Sequence, residues 1–145
     1  MREILFRGIG VHGNNEWIEG DLVRDSEGNP HIVDSEYNEY WDGDPIFVCE
    51  EECEVIPETV GQYTGRNVGA DKLFEGDIIE WVEDYDDNWG DSKTYIGRSI
   101  VIWDNDNSCW AVKTDTYIQF FNDFSWDRCY VIGNIHDNPE LLEVK

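Results

Sequence analysis

The sequence predicts a mostly β protein assembled from small β modules, and three observations carry that prediction. Short apolar runs rich in β-branched and aromatic residues recur along the chain, with turn chemistry between them. Hydrophobic residues make up 40% of the 145 positions and aromatics 14%, enough to build an ordered core despite the heavy charge. One stretch alone, Asn138-Pro139-Glu140-Leu141-Leu142, pairs an Asn with a following Pro in the way that opens a helical turn, so a short C-terminal helix is the single helix expected.

The elements follow in order. Residues 3–7 set a short apolar run, Ile4-Leu5-Phe6, between charged Glu3 and Arg7 and read as a strand, residues 8–15 form a glycine-containing turn, and residues 17–24 return as a second strand, which together read as a hairpin. Ser26-Glu27-Gly28-Asn29-Pro30 carries turn chemistry and His31-Ile32-Val33 a third short strand, extending the hairpin to a meander. Residues 34–43 are acidic and aromatic, with Tyr37, Tyr40 and Trp41, and read as a loop before the apolar strand at 46–49. Residues 53–56 form another strand, and Pro57, with no N–H to give, ends the ladder. These residues, 1–57, constitute an N-terminal β module. Residues 58–77 are a glycine-rich connector, and 78–145 a second module whose strands fall at 78–83, 99–103, 109–112, 117–121 and 130–135. Between the first two lie residues 84–92, in which six of nine are Asp, Asn or Gly, the composition of an exposed loop.

Glu19-Gly20-Asp21-Leu22-Val23 echoes Glu75-Gly76-Asp77-Ile78-Ile79. Glycine gives freedom at a bend and aspartate bonds local backbone, so Gly20, Asp21, Gly76 and Asp77 are expected to be structural turns that launch two strands.

Charge narrows the function classes. Ten Lys and Arg against 33 Asp and Glu leave a net charge of −23, a field that repels nucleic acid and anionic membranes over about a Debye length, ~8 Å at physiological salt. Twelve acids lie between Arg24 and Arg66 and eight between Lys72 and Lys93, in two runs that contain no cation. They read as solvated faces, or as a surface that imitates the phosphates of DNA. Direct nucleic-acid binding is not expected. Aromatics such as Trp81, Trp103, Trp110 and Tyr117 could stack bases, but stacking platforms sit in basic grooves, and core packing is their expected fate. The N-terminus lacks the apolar core of a signal peptide and no run of about 20 apolar residues occurs, so the expected location is the cytoplasm, with no membrane partner and the four cysteines reduced.

Chemistry-bearing motifs are sparse. The pair Cys49 and Cys53 lacks the second close pair of a zinc ribbon. Gly61 to Gly69 has glycine spacing but no Gly-Lys-Ser/Thr for phosphates and Mg²⁺. Asp84, Asp86 and Asn88 imitate the start of a calcium loop, yet Gly90 is one place late and Tyr95 stands where a bidentate glutamate belongs. His12, His31 and His136 are scattered, and no cysteine adjoins a histidine, so no nucleophile–base pair is visible. No metal, cofactor or catalytic residue is expected.

Three stretches together carry a family likeness: Trp17-x-x-Gly20-Asp21-Leu22; Glu58-Thr59-Val60-Gly61-Gln62-Tyr63-Thr64-Gly65 followed by Lys72-x-Phe74-Glu75-Gly76-Asp77-Ile78; and Val131-Ile132-Gly133-Asn134-Ile135-x-x-Asn138-Pro139-Glu140-Leu141-Leu142. In these the chain resembles the YopX family of phage and prophage proteins. The resemblance implies a mostly β protein with an SH3-like barrel in its second half, and a phage-encoded origin in a bacterial cytoplasm. It implies no activity. The function expected is that of a noncatalytic accessory protein acting through protein–protein contacts, with Gln62, Tyr63 and Thr64 as the candidate contact residues. Two alternatives stand beside it: an acidic DNA mimic that inhibits a nucleic-acid-binding protein, and an enzyme whose carboxylate or metal site is assembled from distant residues. Open strand edges and many aromatics leave homo-oligomerisation open.

Overall fold

The computed structural model describes the backbone of residues 2–12, 15–41 and 44–143, and the side chains of these residues outside 34–51. Nearly all the regular structure is antiparallel strand, in two compact units, Met1–Tyr63 and Thr64–Lys145. No helix of the described residues is long and apolar enough to cross a membrane.

The first unit is a meander of β1 (Phe6–Ile9), β2 (Trp17–Arg24), β3 (Pro30–Trp41) and β4 (Asp44–Glu54), each paired with its predecessor. The start of β5 (Gly61–Val68) lies against the free side of β1, Gln62 opposite Phe6 and Gly61 opposite Arg7. Ile32 and Val55 are fully buried and Ile9 nearly so. Alternation along β3 turns His31 and Val33 to the face opposite Ile32. Pro57 opens a short 3-10 turn, Pro57–Thr59, and this turn is pinned to β1, because the Ile9 N–H donates to Thr59 Oγ1 (2.9 Å) while that hydroxyl donates to the Ile56 carbonyl (2.6 Å).

Two expectations fail in this unit. Residues 34–43 do not form a loop: β3 runs to Trp41 and β4 begins at Asp44, with register shifts after Asp34 and between Glu36 and Glu39. Backbone pairing needs no apolar alternation, so a ladder can run on through acidic residues and past register shifts. The side chains of Tyr37, Tyr40, Trp41 and Cys49 lie outside the described residues. Gly20 and Asp21 are not a turn either, for both lie inside β2, Gly20 opposite Phe6 and Asp21 opposite Val33. A Cβ on Gly20 would stand 2.8 Å from the Val33 carbonyl carbon and nearer still to its oxygen, so the glycine is there for close approach of backbone.

In the second unit β5 ends and β6 (Asp71–Phe74) follows, with Thr64 Oγ1 donating to the Leu73 carbonyl (2.8 Å). Residues 58–77, read as a connector, thus hold a 3-10 turn and two strands. A five-stranded antiparallel sheet comes next: β7 (Asp77–Asp86), β8 (Ser92–Asp104), β9 (Cys109–Lys113), β10 (Ile118–Phe120) and β11 (Cys129–Asn134), in spatial order β10-β9-β8-β7-β11. Leu73, Ile79, Trp81, Val101, Val112, Phe124 and Cys129 form its core, each large apolar side chain worth about 1.5–3 kcal/mol when removed from water. Gly76 is a true turn residue, with φ of +91°. Asp77 is buried and its Oδ2 accepts the Phe74 N–H (2.8 Å), closing the β6–β7 turn.

Among the described residues no ladder joins β10 to β11, so the sheet is open and no barrel is closed. The chain between these strands instead sends Phe124 into the core and packs Phe121 and Trp126 against it. The C-terminal helical element is one 3-10 turn, Pro139–Leu142, and Asn138 does not cap it: its Oδ1 accepts the Asn134 N–H (3.4 Å).

Candidate functional site

The outer half of the β7–β8 hairpin has no apolar reason to fold by itself, since Glu83, Asp84, Tyr85, Asp86 and residues 92–96 are exposed. Polar side chains lock it instead. Asp84 accepts from Thr94 Oγ1 (2.8 Å) and from Arg128 Nη1 (2.6 Å), and Asp86 accepts from Ser92 Oγ (2.8 Å). The Arg128 guanidinium, followed by the Thr94 hydroxyl, holds the Asp84 carboxyl below its usual range. These same acids looked like a calcium loop in the sequence. They are strand residues, spent on their neighbours.

The tip is a tight turn built on Asp87, whose Oδ1 accepts the N–H groups of Trp89 and Asp91 (2.9 Å each) while Gly90 takes φ of +85°. Asp25 builds the same turn between β2 and β3, accepting from Glu27 and Asn29 (2.9 Å each) with Gly28 at φ of +87°. Asp-x-x-Gly-x is a shared turn signal in the two stretches, and sequence reading passed over it. The tip turn holds Trp89 out in solvent, 89% exposed.

Below the tip, β9 leaves its neighbour early. Its pairing with β8 ends at Lys113 opposite Ile100. The chain then turns, with Thr114 Oγ1 accepting the N–H groups of Thr116 and Tyr117 (3.2 and 3.1 Å). Residues 92–99 of β8 therefore pair with β7 alone among the described strands, and a groove of about 610 Å³ opens beside that free edge. Trp81 and Gly97 form part of its wall, together with Tyr95, Ile96, Tyr117 and Leu141. Tyr95, Ile96, Tyr117 and the nearby Ile118 are all about half exposed. Partial burial, aided by the charges of Tyr95 and Glu83, pushes the Tyr117 phenol up, so at neutral pH it is a hydrogen-bond donor. Two cations border the groove. Arg98 is engaged, its Nε on Glu80 (3.0 Å) and Nη1 on the Leu141 carbonyl (3.1 Å), which ties the C-terminal turn to the sheet. Lys113 is exposed. Within residues 83–95, five acids (Glu83, Asp84, Asp86, Asp87, Asp91) face one Lys, Lys93.

The residues singled out as contacts sit elsewhere. Gln62 is half-buried in β5, Tyr63 is 6% exposed, and Thr64 is 8% exposed with its hydroxyl used on backbone at Leu73 and Arg66. Trp81 is core, edge-on to Phe124 with ring centroids 5.8 Å apart. Trp103 packs edge-on to Trp110 at 5.1 Å, and the Arg66 guanidinium covers Trp126 at 4.3 Å. These rings serve packing and are not laid out as a stacking platform. The Cys129 thiol is pushed up to about 11 by burial, against a smaller opposing pull from Arg66, the opposite of what a nucleophile needs. Of ligand-type groupings among the described residues, one stands out, Asp25 with His31 and Glu54 in the first unit.

The family model described as YopX protein matches residues 46–143 of this chain. No curated protein matches the sequence.

Proposed function

The chain belongs to the YopX family, and from that premise we propose a noncatalytic accessory protein, phage- or prophage-encoded and working in the bacterial cytoplasm, that binds a protein partner through the β7–β8 arm. One observation carries the proposal. A polar-locked hairpin exposes Trp89, Tyr85 and Tyr95, and Tyr95 lines a groove along a β8 edge that pairs with no further strand among the described residues. Exposed aromatics in such a setting are the residues that dominate binding energy at protein interfaces, and a free edge accepts an extended segment as an added strand. The acids around the arm favour a partner segment rich in Lys and Arg and speed the encounter with it.

We also read the second unit as SH3-like, supported by its strand order, a four-strand meander from β7 to β10 with β11 returning beside β7. The DNA-mimic reading ranks below the interface reading. Asp84 and Asp86, two residues apart on one strand, approximate a phosphate pitch of ~7 Å, but Arg128 and Ser92 already occupy them.

The test is photo-crosslinking in the bacterial host, with a photoreactive residue at Trp89, Tyr95 or Tyr117 and, as control, at Val11 on the first unit. The expected result is one crosslinked protein common to the arm positions and absent from the control. Two results would overturn the proposal: crosslinks from the control position alone, or substrate turnover by the purified protein that single carboxylate substitutions abolish.

A further inference from the structure

On the solvent face of the first unit, three carboxylates surround one imidazole. Asp25 opens the β2–β3 turn, His31 is the second residue of β3, and Glu54 stands directly opposite His31 on β4, with Glu52 two residues before it and so on the same face. His31 Nε2 lies 2.9 Å from Asp25 Oδ2, and His31 Nδ1 lies 3.3 Å from Glu52 Oε1. The ligand atoms of Asp25, His31 and Glu54 all fall within 4.8 Å of one another.

The Asp25 carboxylate is already oriented. Its Oδ1 is held by the Glu27 and Asn29 N–H groups, which leaves Oδ2 turned toward His31. Glu52 faces Nδ1 at 3.3 Å and, by keeping a proton on that nitrogen, leaves Nε2 as the nitrogen that can give its lone pair to an ion once the Nε2 proton is displaced. A carboxylate behind the far ring nitrogen is the arrangement that metal-binding histidines use. Without an ion, Nε2 and Oδ2 at 2.9 Å must share one proton, since two lone pairs would repel. A cation there takes the place of that proton and faces three negative charges.

We propose that Asp25, His31 and Glu54 bind a divalent first-row transition-metal ion, zinc foremost, with Glu52 orienting the histidine. One imidazole nitrogen favours zinc, nickel or copper over calcium and magnesium, which prefer oxygen alone. Two carboxylate oxygens complete three protein ligands, and the exposed side of the site leaves room for water as the fourth. At metal–ligand distances of about 2.0–2.2 Å the three donor atoms would sit roughly 3.0–3.5 Å apart, so the cluster needs to close by about an ångström, a rotation of the Glu54 side chain.

The test titrates the full chain with ZnCl₂ by calorimetry and follows the histidine rings by NMR. The expected result is one zinc per chain, movement of the His31 ring signals with His12 and His136 unmoved, and no displacement by a tenfold excess of Mg²⁺. His31→Ala and Glu54→Gln should each remove most of the affinity, and Glu52→Gln should weaken it about 10–100-fold. Cys53, on the opposite face of β4 by alternation, should be replaceable by Ser without effect. Metal-free melting curves establish that each variant is folded, and Glu52→Gln, an exposed and isosteric change, keeps the test decisive if His31→Ala unfolds. Undiminished binding in the His31, Glu52 and Glu54 variants, equal competition by Mg²⁺, or loss of binding in Cys53→Ser would overturn the proposal.

Discussion

Gly97→Ala tests the wall of the groove and the core behind it in one substitution. A Cβ on Gly97 would lie 2.5 Å from Trp81 Cε2, 2.7 Å from Cη2 and closer still to Cζ2. Ordinary carbon contacts are about 3.5–4.0 Å, so the indole would have to withdraw by roughly an ångström. It has little room to do so. Trp81 is 5% exposed, sits edge-on to Phe124, and shares its cluster with Ile79, Val101 and Cys129. Overpacking of this kind costs about 1–3 kcal/mol. For a unit of this size each kcal/mol moves the melting temperature by about 4–8 °C, so the expected fall is at least ~4 °C and at most ~24 °C. Calorimetry measures the fall, and near-UV circular dichroism reports whether the indole moved. Trp81→Phe removes the offending ring atoms, so the double variant should be less destabilised than the sum of the singles by about 0.5–3 kcal/mol. Strict additivity, or a Gly97→Ala protein that melts within about 1 °C of the parent, refutes the placement of Trp81 over Gly97.

Four further outcomes are expected. Ser99 is 1% exposed and its hydroxyl finds no partner among the described residues, so Ser99→Ala should leave stability unchanged or raise it by up to about 1 kcal/mol in urea titration. Asp84 has its folded pKa below the ordinary 3.8; its ion pair with Arg128 therefore stabilises the arm above that value and is lost as pH falls through the folded one. Urea midpoints of the parent should exceed those of Asp84→Asn at pH 7, and the gap should close as pH falls below 3.8; a gap independent of pH contradicts the sign. With its pKa at about 11, Cys129 carries thiolate in roughly one molecule in a thousand at pH 8. In a Cys49→Ser background it should be the last thiol that Ellman's reagent modifies, after Cys53 and Cys109. Gly20 and Gly76 should part company under substitution. At Gly76 the φ of +91° sets the cost with the nearest side-chain atom 3.7 Å away, so Asn, which tolerates positive φ, should cost less than Ala. At Gly20 the Val33 carbonyl excludes any side chain, so Asn should be at least as damaging as Ala.

The last contrast shows where sequence was legible and where it stopped. Glu-Gly-Asp followed by aliphatics occurs twice, and local chemistry reads both as one turn. Only Gly76 and Asp77 use that chemistry, the aspartate accepting the Phe74 N–H. At Gly20 the need for glycine comes from β3, a neighbour not adjacent in the motif. Strands with β-branched and aromatic runs, such as Trp17–Arg24 and Cys109–Lys113, could be read because their own residues specify them. The extensions of β3 through residues 34–41 and of β7 through Asp86 could not, because acidic residues there are held by ladder bonds to a partner strand and, in β7, by Thr94, Ser92 and Arg128. The family likeness was legible for a different reason, since it rests on combined motifs and not on propensity, and the family model bears it out.

The proposed sites divide along the same line. Acids in this chain carry almost no information singly, because 33 of them make chance proximity common. What separates two of them from the rest is an Asp-x-x-Gly-x turn, which fixes one carboxylate oxygen on backbone and aims the side chain or the turn's own residues outward. At Asp87 this turn displays Trp89, and at Asp25 it turns Oδ2 toward His31. The turn is readable in sequence. What it presents is not, because His31 meets Glu54 only through the register of β3 on β4, and Tyr95 meets the groove only because β9 departs at Lys113. The chain thus uses one local device twice, and long-range register gives each copy its own task. Moving β4 by one residue against β3 would turn Glu52 and Glu54 to the other face and bring Cys53 beside His31. Register, more than composition, is therefore what the zinc titration interrogates: Glu54→Gln should remove most of the affinity and Cys53→Ser none of it, and the reverse would overturn the site by showing a slipped ladder.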